Sequence, residues 1–103
     1  MDRTELTTIV QQSVFDYAGG GNNIEVFAVA NADKTVFAVL IVDSPVHQQD
    51  ADIVVMARLV DEYVVIEEDT TDYPLLEVLL KRGIPRQQIV LARAGEPIPT
   101  GRR

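Results

Sequence analysis

The chain of 103 residues has no cysteine, no tryptophan and a single histidine, and it carries nine basic residues against sixteen acidic ones. Lack of cysteine excludes disulfides, thiol nucleophiles and cysteine-ligated zinc together, so stability must come from packing. The one imidazole, His47, stands near Asp50 and Asp52. A transition-metal centre would ask for a second histidine, and loop solubility is the better reading of that stretch. The shortage of base gives a formal net charge of −7 and a pI near 4.5. Such a chain is repelled by DNA, because nucleic-acid binding needs phosphates neutralised by Lys and Arg. No apolar run approaches the ~20 residues of a membrane helix, and the N-terminus lacks the basic-then-apolar order of a signal peptide. A cytoplasmic protein without membrane contact is expected.

What is present is ordinary globular material, 47% apolar and 24% charged, enough for one hydrophobic core. We expect a single domain over residues 1–95. Residues 96–103, with Pro97, Pro99, Gly101 and two terminal arginines, read as a loose tail.

Asp2 to Ala18 places Leu6, Ile9, Val10, Val14, Phe15 and Ala18 near a 3.6 period, which predicts an amphipathic helix capped by Asp2 or Thr4. Gly19-Gly20-Gly21-Asn22-Asn23 ends it. A phosphate-binding loop would need Gly-Lys-Ser/Thr to follow, and a strand follows instead. Ile24–Ala30 and Thr35–Val42 are β-rich runs around the hairpin loop Asn31-Ala32-Asp33-Lys34. The second run is apolar almost throughout, as expected of a strand covered on both faces or lying at a subunit contact. Ile53–Val60 is a third strand, and Asp61-Glu62 turns tightly into a fourth beginning at Tyr63.

The most strongly punctuated stretch is Val64 to Leu91. Tyr63 to Ile66 form a strand that leaves the core at Glu67, Glu68 and Asp69. Thr71, with Thr70 or Asp72 as alternatives, predicts a helix cap, and Pro74 falls in the first turn. Leu75, Leu76, Val78, Leu79 and Leu80 supply a broad apolar face, and Glu77 stands four residues before Lys81. Lys81 and Arg82 suit the carbonyl end, Gly83 the left-handed residue beyond it, and Pro85 forbids resumption. Ile89 to Ala92 then form a short buried strand. The expected fold class is α+β: an N-terminal helix, a four-stranded antiparallel meander, a second helix and a final strand, with the helices on one face of the sheet. One sheet face and one edge are left to hide, which favours a homodimer.

Asp69-Thr70-Thr71-Asp72, with Leu79, Gly83-Ile84-Pro85 and Ile89-Val90-Leu91 at these spacings, resembles the XisI family of fdxN-element excision controlling factors. The resemblance implies a non-catalytic accessory role in controlling site-specific DNA excision, exerted on a XisH-type partner that is itself similar to nuclease-like proteins. The chain departs from the family pattern at Met56, where a histidine falls, at Glu62-Tyr63, where Gly-Lys falls, and at Val65, where an aromatic falls.

Neither a separated acid–base pair nor an activated nucleophile can be picked out, so no catalytic residue, cofactor or metal is assigned. The alternatives are a small metal-dependent hydrolase built on Glu67, Glu68, Asp69 and His47, and a structural homodimer. Asp61, Glu62, Glu67, Glu68, Asp69, Asp72 and Glu77 run without a basic neighbour between Arg58 and Lys81. These seven form the candidate acidic face for a basic partner.

Overall fold

A computed structural model describes residues 1–45 and 50–99. Helix α1 (Arg3–Phe15) leads into strands β1 (Ile24–Ala30), β2 (Val36–Asp43), β3 (Asp52–Val60) and β4 (Tyr63–Asp69), then helix α2 (Leu75–Lys81) and a short β5 (Ile89–Leu91). His47 lies outside the described residues.

Helix α1 begins where Asp2 accepts from the Glu5 N–H at 2.8 Å while the Glu5 carboxylate accepts from the Asp2 N–H, a reciprocal capping box. Its buried positions Leu6, Val10, Ser13 and Val14 follow the helical period. The expected run to Ala18 survives as tighter turns, Tyr17 N–H to Val14 and Ala18 N–H to Phe15.

The strands lie in sequence order. The first three pairings are antiparallel and β4 takes β5 in parallel, so the sheet is mixed and the antiparallel meander is extended by a crossover through α2. Asp61, with φ of 55°, makes the two-residue β3–β4 turn. At the β1–β2 hairpin the Asn31 carboxamide oxygen accepts from the N–H groups of Thr35 and Val36. Both helices pack on one face: Leu6, Val10, Val14, Leu75 and Leu79 meet Phe37, Val39, Val55, Ala57, Leu59, Val64 and Ile66 in a single core. Phe15 meets Phe37 edge to face at 6.2 Å.

Helix α2 starts later than its capping sequence predicts. Pro74 disfavours helical geometry at Tyr73 before it, so the first helical residue is Leu75 and neither Thr71 nor Asp72 caps it. The cap comes from the end of β4: one Asp69 oxygen accepts from the Leu75 N–H at 2.7 Å, the other from the Thr71 N–H at 2.9 Å and its hydroxyl at 2.6 Å. Gly83, at φ of 98°, ends the helix as expected. Lys81 turns from Glu77 to the Tyr73 hydroxyl, 2.7 Å away, with its ammonium 5.2 Å from the ring centre.

Candidate interaction surface

The sheet face opposite the helices carries the side chains that alternate with the core set. Along β3 these are Met56, Arg58 and Val60, along β2 Ala38 and Leu40, along β1 Phe27 and Val29, and Val65 on β4. Both α-helices pack on the opposite side. Phe27, Val29 and nearby Ile53 are exposed, at 46%, 40% and 37%, and Leu40, Met56 and Val60 are half-buried. An apolar surface of that extent is unusual on a small domain that stands alone. Val65 is fully buried all the same, because it lies opposite Arg58 in the ladder and two residues before Glu67, whose ion pair flanks it.

An irregularity in β4 decides where the carboxylates go. Ala57 pairs with Ile66 but Met56 pairs with Glu68, so Glu67 is an extra residue and the strand bulges. Strict alternation would send Glu67 and Glu68 to opposite sides. The bulge puts both on the uncovered face, where Glu67 accepts from the Arg58 guanidinium at 2.6 Å and Glu68 from Arg93. The next residue, Asp69, returns to the helix side to cap α2. The three carboxylates therefore do not converge, and among the described residues no group of His, Asp and Glu is placed to hold a metal ion.

Of the remaining acidic positions, Asp61 and Glu62 are exposed in the turn at the far end of β4, where the Asp61 carbonyl accepts from Arg3 and the Glu62 carbonyl from the Gln88 side chain. Asp72 and Glu77 are exposed on the helix side. The seven residues thus fall into three places: the turn, the sheet face and the α2 side.

The carboxyl ends of the parallel pair β4 and β5 open into a cleft of about 370 Å³ lined by Ile66, Glu68, Asp69, Thr70, Leu91, Arg93 and Ala94. Such crevices are where ligands enter parallel sheets. Here its charged groups already answer one another across the Glu68–Arg93 pair. Beside it, Glu96 accepts from the Leu91 N–H at 3.0 Å and from Arg86 at 2.8 Å. These contacts, the Leu91 N–H foremost, hold its carboxyl below the usual range. The first residue of the expected tail is therefore tied to the domain, and residues 100–103 lie outside the described ones.

A second polar cluster joins the helices. Arg82 donates to Ser13 at 3.1 Å and to Asp16 at 2.9 Å, while Ser13, fully buried, donates to the Ile9 carbonyl. Tyr17 donates to the Tyr73 carbonyl, and burial pushes its phenol above the ordinary value. From the sequence alone Arg82 is only a charge at the carbonyl end of α2. A serine in the apolar stripe of α1 was the available signal, since a buried hydroxyl asks for a partner.

The family model described as XisI protein matches residues 1–97. The chain belongs to the XisI family. No curated protein matches it. Among solved structures, a XisI-like protein from Anabaena variabilis superposes with a TM-score of 0.77 at 20% identity, over 96% of this chain and 91% of the other. The fdxN element excision controlling factor XisI from the same organism gives 0.72 at 19% identity, over 97% of both chains. At such identities the structures speak for the fold, and the family match carries the assignment. Of the positions at which this XisI-family chain departs from the expected pattern, Met56 and Val65 lie on the uncovered sheet face, Glu62 in the turn at its end and Tyr63 at the start of β4.

Proposed function

We propose that the chain is a non-catalytic accessory factor that acts by binding another protein, a XisH-type partner of nuclease-like fold, in the control of DNA-element excision. We further propose that it does so as a homodimer. The carrying observation is the uncovered sheet face: an apolar field with Glu67 and Glu68 held on it by a bulge and by Arg58 and Arg93. Family membership supports the reading, as does the excision-controlling description of a relative with the same fold. The acidic turn Asp61-Glu62 and the α2-side pair Asp72 and Glu77 supply the negative field that draws a basic partner. With a net charge of −7, association with such a partner is accelerated by attraction and weakened by salt.

Charge reversal tests the acidic contribution. Glu67 and Glu68 are poor choices, because a lysine there would face Arg58 or Arg93 and disturb the fold. Glu62→Lys at the turn and Asp72→Lys with Glu77→Lys beside α2 touch exposed groups. Whichever patch meets the partner, its reversal weakens the complex by roughly tenfold or more in low salt, with an unchanged circular-dichroism spectrum. Unchanged affinity in both variants would remove Glu62, Asp72 and Glu77 from the interface.

A further inference from the structure

Strand β1 is an edge with few of the usual protections, a single charge, Glu25, among them. It is seven residues long, pairs with β2 without a bulge, and contains neither proline nor lysine. The opposite edge, β5, has only three residues. Long, regular, apolar edges recruit further strands unless something occupies them.

The hydrogen-bond phase says what this edge offers. At one end of the hairpin the Asn31 N–H donates to Val36, and at the other the Ser44 N–H donates to Asn23. Both are directly opposed pairs in an unbroken register, so the odd-numbered residues between them spend their main-chain groups on β2. Ile24, Val26, Ala28 and Ala30 therefore point their N–H and C=O groups outward. Their side chains lie on the helix side, while Glu25, Phe27 and Val29 lie on the uncovered face.

We propose that the partner for this edge is β1 of a second copy, paired antiparallel about a two-fold axis at Phe27. This rests on the dimer reading above and specifies its geometry. An axis at Phe27 engages all four outward residues in each copy, matching Ile24 with Ala30 and Val26 with Ala28. Each pair sets a large side chain against a small one. An axis at Ala28 leaves Ile24 unpaired. Glu25, the only charge on β1, decides against shifts the other way. With the axis at Phe27 it faces Val29 of the second copy and lies about 14 Å from its own counterpart, beyond the screening length. An axis at Glu25 would oppose the two carboxylates directly. Phe27, exposed in one copy, packs against itself across the axis at a non-hydrogen-bonded pair. The hairpin loop of one copy then passes the Gly19–Gly21 stretch of the other, which has no side chains to obstruct it. The two uncovered faces join into one continuous sheet surface.

Three measurements on the full chain test this. Light scattering on the unmodified protein is expected to give a dimer, and a monomer at every concentration tried would overturn both the dimer reading and this geometry. Phe27→Cys is expected to give a disulfide-linked dimer under mild oxidation, since Cα atoms of such a pair lie about 4.5 Å apart, within disulfide range. The natural chain has no cysteine to confuse the result. Val29→Cys, with its counterpart about 14 Å away, stays unlinked. Ala28→Pro removes an outward N–H without touching the β1–β2 ladder, so the variant is expected to fold and to dimerise on the order of 100-fold more weakly. If the protein is a dimer but Phe27→Cys does not crosslink and Ala28→Pro dimerises normally, the edge geometry is wrong and the dimer reading stands.

Discussion

Asp69 shows how a single residue can be placed correctly in sequence and assigned the wrong task. It belongs to the acidic run, and from its neighbours alone it looks like surface charge. In the fold it closes the turn before α2 with three accepted hydrogen bonds. Asp69→Ala is therefore expected to cost about 2 kcal/mol and to lower the melting temperature by roughly 10 °C, read by thermal denaturation. Asp69→Asn keeps part of the acceptor capacity and should lose less. Glu96 has a related role at the chain's end. Its carboxyl is held below the unfolded value by the Leu91 N–H and Arg86, so its contribution is complete above the unfolded pKa and disappears as pH falls through the folded one. Melting temperatures measured downward from neutral pH should show a shallower acid decline for Glu96→Gln than for the natural chain. Neither role is evident from the sequence, because each depends on an irregular turn that folds an N–H two to six residues away back onto the carboxylate.

The elements themselves were largely legible. The period of α1, the end of α2 at Gly83, the hairpin loop at Asn31 and the tight turn at Asp61 all follow from local chemistry and appear where that chemistry puts them, whereas α1 stops at Phe15, short of the glycines expected to end it. Three element-level features were not. The start of α2 does not follow from its capping residues, because Pro74 disfavours helical geometry at Tyr73 and delays the helix to Leu75. The parallel placement of β5 required knowing how the chain crosses back over the sheet. The bulge at Glu67 exists only in the register between β3 and β4, so no reading of β4 alone puts Glu67 and Glu68 on the same side. The junction of the two helices was also hidden, since Arg82, Ser13 and Asp16 are far apart in sequence. Arg82→Ala leaves the buried Ser13 without one of its partners and cuts the ion pair to Asp16. We expect a loss of about 1–2 kcal/mol, measured by urea unfolding, and only a small part of that loss when Asp16 alone is changed to Asn.

For the molecule as a whole, the two-helix cover on one side explains the core and leaves the other side to be accounted for. An uncovered apolar sheet, flanked by the paired carboxylates of β4 and next to a long, regular and sparsely protected edge, is the arrangement of a protein completed by its contacts. On that ground we propose that this XisI-family chain works by association, with a copy of itself and with a partner of XisH type. No described helix is long and apolar enough to cross a membrane. The most direct test is light scattering on a sizing column, first on this chain alone and then on the chain co-expressed with a XisH-type protein. The account predicts co-elution as a complex of defined mass that dissociates as salt is raised. Separate elution of the two proteins at low salt would contradict it.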